Sequence, residues 1–337
     1  MNTTGDSPLF WMSGRLATGV LEISHDPASL EEDGFWAIQV DYEGRWTLVK
    51  FQNVEIEDFP PSPWDGISTP WNSSQKKNEY IDYVSRMRDA IAQGDIYQVN
   101  ACRILSTTRA PSLRGLFKKI LTENPAPYAS YLGVGDIEIA SASPELFLSL
   151  RTSSEGIQIQ SSPIKGTSVN QSFGEKDQSE NVMIVDLIRN DLSRICEAGT
   201  VDVSRLLGVE KHPGLFHLVS DVVGRLKSDF SWRTFSDAML PAGSISGAPK
   251  SSAKKYIALN EGVRGPYCGL LGWIEKRGAV ITGEISVGIR IFWQDEKEVH
   301  FGTGAGITWG SDPVEEWEET ELKARRLMTI AKGGVAL

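Results

Sequence analysis

Three groups of side chains in this sequence have types and spacings that could do chemistry. In SSPIKGT, residues 161–167, Lys165 stands between a proline corner and a glycine, in a stretch otherwise made of small and apolar residues. A desolvated, apolar setting favours the neutral amine, which is a nucleophile; the competing reading is a surface lysine at a turn. Asp177 and Glu180 lie three residues apart near the start of one helical pattern, and Glu316, Glu319 and Lys323 fall at i, i+3 and i+7 of another. Side chains so spaced share a helix face. Two carboxylates from different helices, Glu180 and Glu319, would make an octahedral all-oxygen Mg²⁺ site together with waters and a substrate oxygen. The same acids also read as a solvated face with favourable charge at helix N-termini, which is the reading expected for Glu315, Glu318 and Glu321.

Two glycine-rich stretches match no nucleotide motif. In PAGSISGAPKSS, residues 241–252, only two residues separate Gly247 from Lys250, which is not the spacing of a Walker A loop. In GTGAGITWG, residues 302–310, glycines fall at 302, 304 and 306 rather than as GxGxxG, and no βαβ pattern surrounds them. Each reads either as tight turns or as bare backbone N–H groups that, with the hydroxyls of Ser244 and Ser246, let a carboxylate approach closely. Spacing alone does not separate the two.

The elements that must position these residues follow from periodicity. Residues 35–51 alternate as a hairpin around DYEGR, and the Pro/Ser/Trp-rich residues 59–74 read as a loop within one domain. Helical spacing over 78–94 places Tyr80, Val84, Met87 and Ile91 on one face, with Gly94 as the C-cap. Strands are expected at 96–106, 128–133, 137–141, 146–151, 157–161, 217–226, 268–275, 279–292 and 298–303. Helices are expected at 175–197, 231–239, 249–260 and 313–332, the last opened by Asp312 as N-cap, Pro313 at N1 and Glu315 at N3. Consecutive strands with helices in separate blocks predict an α+β fold of largely antiparallel sheets. Residues 1–77 are expected to be strands and a loop of the same domain as the core at 78–332.

Composition excludes several classes. The 337 residues are 40% hydrophobic and 23% charged, with a net charge of -10 and no basic run, which argues against nucleic acid as a partner. No apolar run is long enough for a membrane span, and MNTTGDSPLF has no signal-peptide pattern, so a cytoplasmic location is expected. Cys102, Cys196 and Cys268 form no metal cluster and read as reduced thiols. An acidic chain that takes a small anionic substrate must hold it locally, with a few cations or a metal.

Seven blocks in order resemble the chorismate-utilising enzymes: SASPELF (141–147), PIKGT (163–167), ENVMIVDLIRNDL (180–192), HLVSDVVGRL (217–226), PAGSISGAPKS (241–251), GPYCGLLGW (265–273) and GTGAGITWGSDPVEEWEET (302–320). The family includes component I of anthranilate synthase and of aminodeoxychorismate synthase, and the isochorismate and salicylate synthases. The resemblance implies one domain of two stacked, mostly antiparallel sheets wrapped by helices, with the site in the cleft. It implies Glu180 and Glu319 as Mg²⁺ ligands, with Asp177 and Glu316 holding metal-bound waters, and Glu145 as the general acid that protonates the departing 4-hydroxyl of chorismate. It sets His217, Tyr267, Arg290, Gly304, Gly306 and Lys323 along the substrate, with Ser246, Gly247 and Ala248 as further substrate contacts. The chain departs from the family pattern at Ile291, where a threonine is common, and at Ser168 and Val169, which follow PIKGT where many relatives carry R-P-R.

Within the resemblance, Lys165 selects the reaction. Anthranilate synthases read P-I-A-G-T and let ammonia attack ring C2; aminodeoxychorismate synthases carry lysine at the alanine position. That amine is expected to attack C2 and expel the 4-hydroxyl. Ammonia then attacks C4 and releases the lysine. Isochorismate and salicylate synthases carry a water-activating lysine where Gln98 stands, and the tryptophan-site motif L-L-E-S does not occur in residues 1–30. None of the cysteines sits in a G-x-C-x-G elbow, so the expected partners are chorismate, ammonia and a separate glutamine amidotransferase subunit. The alternatives are an anthranilate synthase component I and a catalytically silent chorismate-binding regulatory subunit.

Overall fold

The structure, a computed structural model, describes residues 7–168, 170–212 and 215–335. Val169, one of the two departures after PIKGT, therefore lies outside the described residues. Among the described residues, eighteen strands join in a single hydrogen-bonded sheet. Every pairing between them is antiparallel.

The sheet has two halves. In one, Leu215–Arg225 pairs with Gly156–Ser162, then Leu146–Ser153, Val280–Val287, Leu270–Arg277, Gly34–Val40 and Trp46–Ile56 follow in sequence across the sheet. In the other, Arg15–Ser24 is followed by Leu9–Met12, Tyr128–Val134, Ile137–Ser143, Ile291–Gln294, Glu298–Ile307 and Gln98–Thr108. The long Trp46–Ile56 strand pairs with both Gly34–Val40 and Arg15–Ser24, so the two expected sheets form one continuous path. The halves pack on each other: Phe10, Leu132 and Ile139 from one share a core with Phe35, Leu148 and Ile285 from the other. That buried apolar area is the main cohesive contribution.

Helices Glu175–Ile195 and Pro313–Ala331 agree with expectation to within about two residues, and they carry the acid clusters. Asp312 accepts hydrogen bonds from the N–H groups of Val314 and Glu315 at 2.9 and 3.0 Å, as its N-cap position requires. The expected 279–292 strand is broken instead into Val280–Val287 and Ile291–Gln294. Gly288 exchanges backbone hydrogen bonds with Cys268 and Gly269, and Arg290 takes φ +54, so the chain steps out of the ladder there. Among the described residues, no helix is long and apolar enough to cross a membrane.

Candidate active site

A cavity of about 890 Å³ is bounded by the sheet, the first turns of Glu175–Ile195 and the length of Pro313–Ala331. Its wall contains Glu145, Lys165, Asp177, Glu180, His217, Tyr267, Arg290, Gly304, Gly306, Glu319 and Lys323. Residues far apart in sequence thus meet in one place.

Lys165 reaches the cavity because of a bulge. The short strand Ile164–Ser168 pairs Ile164 with Val219 and Thr167 with His217, and the register shifts between them, leaving Lys165 and Gly166 in the irregularity. Bulges re-aim side chains in this way. Gly166 has φ +86, which favours glycine, and a methyl there would stand a tight 3.1 Å from the Asp177 Cβ. Lys165 is half-buried, less enclosed than the small, apolar residues around it suggest. Its Nζ lies 3.6 Å from the point a methyl on Gly306 would occupy, and the Nε2 of the buried Gln98 lies 3.0 Å from that point.

Glu145 follows the Ile137–Ser143 strand at a corner fixed by a hydrogen bond from Val287 N–H to its carbonyl. It is only 4% exposed. Burial pushes its carboxyl up from 4.5 to about 7, against the opposing effects of a hydrogen bond from the Ser244 hydroxyl, the nearby Lys165 ammonium and the Ile164 N–H. An acid so tuned can give up a proton near neutrality. Arg290 faces the same cavity from the break in the strand, and burial lowers its ionisation from the ordinary arginine value. Ile291, where relatives carry threonine, is packed into the core instead of the cavity wall.

Two helices supply the acids. Asn181 fixes the first, donating to the Leu218 carbonyl at 3.1 Å and accepting from the Ser220 hydroxyl at 2.5 Å, which seats Glu180 beside the His217 strand. On the second, Lys323 pairs with Glu319 at 2.5 Å and donates to the Gly304 carbonyl at 3.1 Å. Asp177, Glu180 and Glu319 are hard oxygen donors of the kind Mg²⁺ takes. Among the described residues no three acidic, imidazole or thiol groups gather into a cage of their own.

Four expected residues lie elsewhere. Glu316, 3% exposed, is absent from the cavity wall, because the helix turns Glu319, Leu322 and Lys323 toward the cavity and buries Glu316 beneath. The hydroxyl of Ser246 is used by the Ala242 carbonyl, and Gly247 and Ala248 pair with Val99 and Gln98. From that stretch Ser244 and Ile245 line the cavity instead. Asn100, Ile289, Arg325 and Arg326 also line it and were not singled out from the sequence. Arg326 could have been, since it continues the Glu319, Lys323 spacing by one more turn.

Comparison with known proteins decides the family. The chain matches the chorismate binding enzyme family over residues 16–329. It belongs to that family. As a chorismate-binding enzyme it is 33% identical to anthranilate synthase component 1 of Aquifex aeolicus (strain VF5) over 276 residues, 77% of this chain and 54% of the relative. It is 30% identical to aminodeoxychorismate synthase component 1 of Klebsiella aerogenes over 315 residues, 87% of this chain and 68% of that one. The chain thus spans about half the length of the Aquifex relative. Its fold is similar to the crystal structure of anthranilate synthase component I from Streptococcus pneumoniae TIGR4, with a TM-score of 0.79, 21% identity, and coverage of 97% of this chain and 93% of that one.

Proposed function

We propose that this chorismate-binding enzyme is an aminodeoxychorismate synthase component I, converting chorismate and ammonia to 4-amino-4-deoxychorismate and water. The observation that carries the reading is Lys165, whose amine stands at the cavity wall over Gly306 and near the Glu145 carboxyl. In the proposed reaction the free amine of Lys165 forms a bond to ring C2, both ring double bonds shift, from C1=C2 and C5=C6 to C1=C6 and C4=C5, and the 4-hydroxyl departs as water with the proton of Glu145. Ammonia then attacks C4, both double bonds return, the C2–nitrogen bond breaks to release Lys165 as the free amine, and the proton lost from the new C4 ammonium group restores Glu145.

Glu180 and Glu319 would hold Mg²⁺, with Asp177 beside them; when bound, the ion would supply positive charge to the substrate carboxylate. Lys323 and Arg290 would orient the anionic substrate, and His217 and Tyr267 would complete the wall. A glutamine amidotransferase subunit would deliver the ammonia. The product would serve 4-aminobenzoate and folate synthesis.

The relatives named anthranilate synthase component 1, at 33% identity and above, support a second reading in which ammonia attacks C2 directly. One incubation separates the two. With chorismate, Mg²⁺ and ammonium salt at alkaline pH, the first reading gives non-fluorescent 4-amino-4-deoxychorismate and the second gives fluorescent 2-aminobenzoate. Chelator-treated protein should be inactive until Mg²⁺ is restored; full activity without it would overturn the metal assignment.

A further inference from the structure

The cavity is longer than the reaction centre. Gly306, Gly304 and Gly302 follow one another along the Glu298–Ile307 strand, and the Pro313–Ala331 helix runs beside them in the opposite order of depth. Gly306 lies at the Lys165 end, and Gly304 receives the hydrogen bond from Lys323. Farther out, the helix presents Leu322, Arg325, Arg326 and Thr329, opposite Asn124. From Glu319 to Thr329 the helix rises roughly 15 Å, at about 1.5 Å per residue. The trough therefore has a reactive end at Lys165 and an outer half at which Leu322 and Arg325 are exposed.

The two halves differ in charge. The inner end holds Glu145, Asp177 and Glu180 with Lys165 and Arg290. Among the described residues lining the outer half there is no carboxylate, while Arg325 and Arg326 both face it. The acids nearest Arg325 along the helix are each paired: Glu321, one turn before it, with Arg103, and Glu319 with Lys323. Arg326 is held in place by donating to the Glu123 carbonyl, with its Nε at 3.2 Å, and Glu123 itself stands 3.6 Å from Lys119. Arg325 is exposed at the rim. In a chain of net charge -10, the residues lining this half of the cavity are locally positive.

We propose that the outer half of the trough is a staging site for the dicarboxylate substrate, where Arg325 and Arg326 capture a carboxylate before it passes inward to Lys323. The proposal rests on the reading of chorismate as substrate. A cleft of one sign with low-dielectric walls raises the local concentration of the opposite charge and the rate of capture. Such a site acts on encounter and leaves the chemical step alone.

The test compares wild type with Arg325→Glu, chosen because the side chain is at the surface, with Arg325→Gln as the neutral control. At low ionic strength, kcat/KM for chorismate should fall on the order of ten-fold in Arg325→Glu and less in Arg325→Gln, with kcat unchanged. The deficit should shrink in high salt, where screening acts within about 3 Å at 1 M. An unchanged kcat/KM at low salt, an equal deficit at every salt concentration, or a fall confined to kcat would overturn the staging site. Titration with chorismate in the absence of ammonia reads the same site without turnover. A salt-dependent rise in Kd for Arg325→Glu, in a protein that makes no aminated product, would sink the proposed reaction and support the staging site. Equal Kd values at low salt would overturn the staging site whatever the product.

Discussion

Residues 241–252 and 302–310 are both rich in small residues, glycine among them, and they do different work in the fold. In the first, Gly247 takes φ +143, and a methyl on it would lie 2.3 Å from the Gln98 carbonyl oxygen and 2.9 Å from the Val99 Cα. That glycine exists so that two backbones can touch. In the second, a methyl on Gly306 would meet the movable end of Gln98 at 3.0 Å and the Lys165 Nζ at 3.6 Å. That glycine keeps space for reacting groups. Gly302 lies between these cases, since its methyl would strike the Tyr267 ring, itself part of the cavity wall, at 2.0 Å. What a missing side chain would have touched, backbone or site, distinguishes a structural glycine from a functional one.

Substitutions can break this contrast. The largest effect is expected for Gly247→Ala, which adds an unfavourable positive φ to a backbone collision and should destabilise the fold by about 3 kcal/mol or more. Denaturant unfolding would show it, and an unchanged midpoint would contradict the assignment. Gly306→Ala should leave stability within about 1 kcal/mol, because its closest neighbour is a side-chain end, yet cut kcat/KM by roughly ten- to a hundred-fold by filling the space beside Lys165 and pushing on the Gln98 amide. Finding Gly306→Ala unfolded and Gly247→Ala fully stable would invert the comparison.

A smaller effect sharpens it. Ser244 is the one hydroxyl of the first stretch that reaches the cavity, and its hydrogen bond favours the ionised form of Glu145. Removing that donor in Ser244→Ala raises the Glu145 value further. If Glu145 is the acid, kcat measured at constant NH₃ concentration falls as pH rises through about 7, when the proton is lost. In Ser244→Ala that descending limb should move to higher pH by about one unit, and Ser244→Thr should restore it. A limb that stays in place would remove Ser244 from the acid's surroundings.

The parts of this fold that were legible in the sequence are those determined locally. The Pro313–Ala331 helix carries its own N-cap and proline, and the Lys77–Ala92 helix its own apolar face of Tyr80, Val84 and Met87. The Arg114–Glu123 helix was not foreseen, although Leu116, Phe117 and Ile120 have helical spacing. Its start has no side-chain cap from Leu113; instead Glu138, from a strand, accepts from Leu113 N–H at 2.6 Å and from Ser112 Oγ at 2.7 Å. The Arg15–Ser24 strand was obscured because Leu21 and Ile23 are exposed, which blurs its alternation. The step at Gly288 depends on hydrogen bonds to residues about twenty positions away, so no window of sequence reveals it.

The candidate site divides in the same way. Residue types that carry chemistry, Glu145, Lys165, Glu180 and Glu319, were identified by motif, and the fold brings them to one cavity. Which of several neighbours faces that cavity depends on helix phase and loop path. Glu316 is one turn before Glu319 yet lies beneath the helix, and Ser246 is two residues from Ser244 yet turns to the Ala242 carbonyl. Tertiary packing sets those choices.

The central claim is that the Lys165 amine forms a bond to the substrate, and its most direct test is product formation by Lys165→Ala with chorismate, Mg²⁺ and ammonium salt. Single-turnover kinetics, with products separated by chromatography and identified by mass, would follow 4-amino-4-deoxychorismate in the variant and in wild type. The expected result is loss of that product in a variant that still folds and still binds chorismate in the presence of Mg²⁺. Formation of 4-amino-4-deoxychorismate by Lys165→Ala at the wild-type rate would contradict the account and return Lys165 to the role of a turn residue.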